Sequence, residues 1–130
     1  LTGCGPALQG IDEQNHPPVE LPIVSGSKLN DYVQASESPV LVEFGVDFNC
    51  PRCAQTKSDV MRLRENLEGN VDVVRVDFNA NTQLVAQFGG TICPTYVLFD
   101  HAEPVMTRSF PVSIDLLESE ILQLSPNRTK

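Results

Sequence analysis

Cys50 and Cys53, separated by Pro51 and Arg52, are the residues of this chain best equipped for chemistry. Cysteines three apart in a first helical turn lie about one turn of rise from each other, within reach of a disulfide. Pro51 suits the first helical position, where a missing N–H costs nothing. The sulfur of Cys50 is then expected at the helix N-terminus, where free N–H groups and the positive dipole end favour a thiolate. Arg52 adds positive charge next door. Such surroundings lower a cysteine pKa and make it the attacking nucleophile. Cys53 falls on the inner, apolar stripe of the same helix, so it is expected to be the less exposed, resolving thiol.

A C-x-x-C pair is also half of many zinc sites, but here the second half is missing. The other candidate ligands are Cys4, Cys93, His16 and His101, with none at paired-ligand spacing. Thiol–disulfide exchange on protein or small-molecule disulfides, without a bound cofactor or metal, is the reading that follows. Two alternatives stand beside it. One is a metal or iron–sulfur binding module using Cys50, Cys53 and Cys93. The other is a non-catalytic interaction domain with an inert disulfide.

Positioning this pair requires a strand before it and a helix after it. Val40-Leu41-Val42-Glu43-Phe44 is an apolar, β-branched run of the kind found in strands buried on both faces, with Glu43 its odd member. After Pro51, residues Cys53, Thr56, Val60, Leu63 and Leu67 fall at steps of three or four, and Gly69-Asn70 ends that helix. Val71 to Phe78 reads as a strand, and Thr82 to Phe88 as a short helix closed by Gly89-Gly90. Thr95 to Phe99 is the next strand, and a turn over Asp100 to Pro104 leads to a last one near Val105–Phe110. Ser113 caps a final helix whose inner face carries Leu117, Ile121 and Leu124. Upstream, Ser27 caps a helix with Leu29, Tyr32 and Val33 on one face, ended by Pro39. A short strand around Val19–Val24 would be confined by its prolines to a sheet edge. The order β-α-β-α-β-α-β-β-α predicts an α/β fold with a mixed central sheet flanked by helices.

One domain over residues 23–126 accounts for this pattern. Residues 1–22, rich in Gly, Pro, Asn and Gln, read as a flexible Pro-rich tether, and 127–130 as a tail. A net charge of -8 and the lack of any Lys/Arg run argue against nucleic-acid binding. No stretch approaches the roughly 18 apolar residues that span a bilayer. Beginning at Leu1 rather than Met, the chain is expected to be a processed or truncated form.

V-L-V-E-F-G-V-D-F-N-C-P-R-C, Val40 to Cys53, resembles the active-site strand and loop of thioredoxins. Thr91-Ile92-Cys93-Pro94-Thr95 is similar to their cis-proline loop, and the resemblance extends from about Val19 to Leu124. It implies a thioredoxin fold, with protein thiols or disulfides and a redox partner protein as partners. It also implies that Pro94 is cis, faces the Cys50–Cys53 pair, and lets the backbone beside it, at Ile92 and Cys93, pair with a substrate peptide. Glu43 matches the family's buried acid, which would accept or relay the proton of Cys53 with its pKa raised by desolvation. The alternative for Glu43 is a strand-end carboxylate that reaches water. Cys93, beside Pro94, is expected close to Cys50 as a small buried hydrophobe, a third redox thiol, or a ligand.

The chain departs from that family in several places. Asn49 stands where a Trp is usual, Ser58 replaces a helix-kinking proline, and Phe110 replaces a glycine near the substrate groove. Pro51-Arg52 replaces Gly-Pro and is closer to the Cys-Pro-His-Cys of a periplasmic oxidant. Leu1-Thr2-Gly3-Cys4 resembles a bacterial lipobox, which implies lipid attachment at Cys4. The domain is then expected on the extracytoplasmic, periplasmic side of a bacterial membrane, associated with it only through that lipid, where disulfides persist.

Overall fold

The apolar run at 40–44, broken only by Glu43, becomes the centre of the sheet. In the computed structural model, which describes residues 20–110 and 113–124, β1 (Val40–Gly45) is buried at every position. It pairs in parallel with β2 (Asp72–Asp77) and antiparallel with β3 (Thr95–Asp100). β4 (Glu103–Ser109) adds antiparallel to β3, giving the order β2-β1-β3-β4. The parallel pair needs a crossover, and the long helix that opens at the cysteine motif supplies it.

Among the described residues four α-helices cover the two faces: α1 (Leu29–Ala35), α2 (Pro51–Leu67), α3 (Thr82–Gln87) and α4 (Ile114–Leu124). Side chains alternate along a strand, so β1, β2 and β3 each feed both cores. On one face Leu41, Val73, Tyr96 and Leu98 pack with Val60, Leu63 and Leu67 of α2 and with Leu117 and Ile121 of α4. On the other, Val40, Val42, Phe44, Val74, Val76 and Val97 pack with Leu29 and Val33 of α1 and Val85 of α3. The same alternation sends Glu43 to the α2 face, under the cysteine helix.

Two expectations shift. The edge strand expected around Val19–Val24 is, over its described part, a single parallel bridge between Ile23 and Arg75. The Arg75 N–H donates to the Pro22 carbonyl and the Val24 N–H to the Arg75 carbonyl, each at 2.8 Å. Pro22 has no N–H to continue the ladder. Leu21 is already buried in the α2 core, so packing starts within the stretch expected as tether. Residues 1–19, with Cys4, and the tail at 127–130 lie outside the described residues.

The turn expected over Asp100 to Pro104 closes in two residues. His101 and Ala102 both have positive φ, 53° and 66°, the backbone that matches the twist of a tight hairpin. β4 consequently begins at Glu103 instead of near Val105.

Candidate active site

The cysteine motif sits where β1 hands over to α2. Asn49 takes a left-handed backbone, φ 58°, which asparagine tolerates better than most residues, and Cys50 follows as the N-cap of α2 with Pro51 in its first turn. Cys50 and Cys53 form a disulfide with Cα atoms 5.2 Å apart. The Cys53 N–H donates to Cys50 Sγ at 3.1 Å, so a helix-terminal donor is aimed at that sulfur. Exposure separates the two cysteines less than expected: 8% for Cys50 and 4% for Cys53. Around them, Phe48 is 80% exposed on the loop before Cys50 and Ile92 36% on the 91–95 loop, an apolar rim to the site.

Opposite the pair stands the 91–95 loop. The Cys93–Pro94 peptide is cis. Cys93 Sγ lies 3.3 Å from Cys50 Sγ and 3.4 Å from Cys53 Sγ, and the Cys93 carbonyl is 3.8 Å from Cys50 Sγ. The Ile92 carbonyl is turned inward to accept from the Thr95 hydroxyl at 2.6 Å. The Pro94 carbonyl accepts from the Phe110 N–H at 2.8 Å, which fixes Phe110 against the loop with a positive φ of 40°. Arg52 then lies over the Phe110 ring, 5.5 Å from its centroid, a cation–π contact that holds the guanidinium beside the motif.

Behind the disulfide, Glu43 is 1% exposed, which excludes the reading in which it reaches water. Its Oε1 accepts from Arg75 Nε at 2.8 Å and also faces Arg75 Nη2 at 2.8 Å; its Oε2 accepts from the Tyr96 hydroxyl at 2.8 Å. Arg75 Nη1 reaches on to Asp47, in the loop that carries Phe48. Burial pushes the Arg75 guanidinium down, but the Glu43 and Asp47 carboxylates outweigh this and hold it above its ordinary value. Burial, then the Glu43 charge, pushes the Tyr96 hydroxyl well up. Gly45 separates this cluster from the disulfide. A Cβ there would stand 3.3 Å from Cys53 Sγ and 3.5 Å from the Glu43 carboxyl carbon.

The comparisons with known proteins point one way. The family model for thioredoxin matches residues 20–121. Thioredoxin 1 of Nostoc sp. is 30% identical over 82 residues, covering 63% of this chain and 76% of its own, and thioredoxin of Synechocystis sp. is 31% identical over 84 residues, covering 65% and 78%. The chain belongs to the thioredoxin family. Among solved structures, thioredoxin f2 of Chlamydomonas reinhardtii superposes with a TM-score of 0.70 at 23% identity, covering 82% of this chain and 97% of its own. A mutant thioredoxin from Halobacterium salinarum gives 0.68 at 27% identity, covering 85% and 96%.

The chain is a thiol–disulfide oxidoreductase whose redox pair is Cys50–Cys53. Sequence reasoning named Glu43 but missed the partners that satisfy it, Arg75 and Tyr96. A signal was present: each of two apolar strand runs contains one charged residue, and the parallel register sets Glu43 opposite Arg75. Phe110 was visible only as a departure from the family, not as the seat of Arg52.

Cys93 is the free cysteine among the described residues and is half-buried. Burial, the largest influence, pushes its thiol up; the Glu43 charge adds to this, while the Val46 backbone and the Arg75 and Arg52 charges oppose it. Its thiolate therefore forms later, as pH rises, than that of an ordinary cysteine. In oxidised Cys4→Ser protein, iodoacetamide should label Cys93 more slowly than a cysteine peptide at pH about 8, its rate climbing past the roughly 8.5 of free cysteine. Labelling as fast as the peptide would contradict the shift.

Proposed function

We propose that this thioredoxin is a lipid-anchored, extracytoplasmic enzyme that exchanges disulfides with protein substrates at a potential above that of typical thioredoxins. In this reading the Cys50 thiolate attacks a substrate disulfide, forming a mixed disulfide and releasing one substrate thiolate. The Cys53 thiolate then attacks Cys50 Sγ, closing the protein disulfide and releasing the second substrate thiolate. Two electrons pass to the substrate; in the opposite direction the same steps oxidise a dithiol. Glu43, across Gly45 from Cys53, takes the proton of the resolving thiol. Pro94 and the backbone at Ile92 and Cys93 hold the substrate peptide, with Phe48 and Ile92 as apolar contacts at the rim.

The observation that carries the direction is the donation from the Cys53 N–H to Cys50 Sγ at the helix N-terminus, with Arg52 held beside it on Phe110. Both favour the Cys50 thiolate, hence the reduced form, and stabilising the reduced form raises the potential. Equilibration with glutathione should place the couple between the about -270 mV of thioredoxin and the about -120 mV of the strongest periplasmic oxidant. Arg52→Glu should lower it by tens of millivolts, where about 30 mV corresponds to about 1.4 kcal/mol. A wild-type potential below thioredoxin's, or none of that shift, defeats the assignment of direction.

Membrane attachment rests on the resemblance of Leu1 to Cys4 to a lipobox and on the Pro-rich stretch that follows. Among the described residues no helix is long and apolar enough to cross a membrane. The precursor expressed in a bacterium should partition to membranes and carry fatty acid, and Cys4→Ser should release it with the same potential. A wild-type precursor that stays wholly soluble and unlipidated ends this part of the proposal.

A further inference from the structure

Three sulfurs meet at the first turn of α2. Those of Cys50, Cys53 and Cys93 all lie within 4.8 Å of one another, two of the residues buried and one half-buried. The distances from Cys93 to its two neighbours, 3.3 Å and 3.4 Å, are nearly equal. A thiolate that breaks a disulfide approaches along the axis of the bond, far from one sulfur and near the other. Cys93 stands beside the bond instead, which disfavours it as a third redox thiol.

Beside the bond is, however, where a third ligand belongs once the disulfide is reduced. Cys50 and Cys53 are fixed by a helical turn, and Cys93 by the loop that Pro94 closes, so three donors converge from two packed elements. Among the described residues no His, Asp or Glu atom joins this group, so the donor set is sulfur alone. Thiolates select soft ions, Cu(I) and Zn(II) above all. A closed zinc site takes four protein ligands. Cu(I), softer and of lower charge than Zn(II), is satisfied by three.

We propose that the reduced protein binds one Cu(I) ion through Cys50, Cys53 and Cys93. Each thiol gives up its proton and donates an electron pair to the ion, which stays Cu(I); nothing is oxidised. With the disulfide formed, two of the three donors are committed to the S–S bond and the ion is not held. Ion binding and disulfide exchange therefore exclude one another, because both need the Cys50 thiolate. This goes beyond the oxidoreductase reading and does not depend on the direction of electron flow.

The test is an anaerobic titration of the reduced full-length chain with Cu(I) supplied as its acetonitrile complex, in competition with bicinchoninate. One ion per chain is expected, with three sulfur neighbours by X-ray absorption, and no uptake by the oxidised chain. Losing an outer-shell partner weakens metal sites by about tenfold or more, so removing a ligand in Cys93→Ser should weaken Cu(I) binding at least that much. Cys4→Ser should bind as wild type does. Two sulfur neighbours, equal affinity in Cys93→Ser, equal uptake by oxidised protein, or loss of binding in Cys4→Ser would each overturn the proposal. Should Cys93→Ser not fold, Cys93→Ala and the sulfur count in wild type decide it.

Discussion

Serine at position 50 should reduce disulfide exchange to the uncatalysed rate, while serine at position 53 should leave the first step intact and stop the second. A hydroxyl is no substitute for a thiolate as a nucleophile toward sulfur, so Cys50→Ser removes the attacking group itself. Neither neighbour is placed to take over. Cys53 lies inside the first turn of α2, while the helix-terminal N–H is aimed at Cys50 Sγ, and Cys93 lies beside the pair with its thiol pushed up by burial. Cys53→Ser keeps the Cys50 sulfur and its place at the head of α2, so the substrate still becomes attached. Without a resolving thiol the mixed disulfide persists, and mass spectrometry of non-reduced protein should find it. Substantial turnover in Cys50→Ser, or no trapped adduct in Cys53→Ser, would reassign the two roles.

The second large effect is on stability. Arg75→Met should destabilise the fold by about 3–5 kcal/mol, the usual result of leaving one member of a buried ion pair without its partner. Domains of this kind are stable by only about 5–15 kcal/mol, so urea midpoints should fall visibly. The Asp47 contact adds little to that figure, because Asp47 is half-exposed and screened by water. Adding Glu43→Leu to Arg75→Met should recover most of the loss, since apolar replacement of a buried pair is often neutral. The Tyr96 hydroxyl would then lose the Glu43 carboxylate and keep only Thr56 as a hydrogen-bond neighbour, at a cost of up to about 1–3 kcal/mol, which Tyr96→Phe removes. An Arg75→Met variant within about 1 kcal/mol of wild type would mean that Glu43 is not left as an unpaired buried charge, and would overturn this assignment.

These residues also mark the boundary of what sequence reveals. The apolar run at 40–44, the helical stripe from Cys53 to Leu67 and the redox pair at its head are local patterns, each carried by one period or one spacing. The Glu43–Arg75–Tyr96 cluster is not local: it is assembled by the register of three strands, and no single segment displays it. The edge strand expected around Val19–Val24 is, over its described part, only the bridge at Ile23, and Pro22 has no N–H to extend the ladder. The order of exposure at the two cysteines was legible, with Cys53 the less exposed, but the smallness of the difference was not. Their contrast follows from helix faces, but the 91–95 loop covers both, and its closeness is a tertiary fact.

The ion pair behind Gly45 also sets what kind of field the resolving sulfur experiences. A lone buried carboxylate would act as a monopole, whose influence falls off only gradually from one thiol to the next at the head of α2. Glu43 is instead matched by Arg75 at 2.8 Å, and the two form a dipole whose negative pole faces the Gly45 gap. A dipolar field decays more steeply with distance than that of a single charge. Its reach is therefore short, weighted toward Cys53 and already weakened at Cys50, so the two sulfurs of one disulfide can be biased separately.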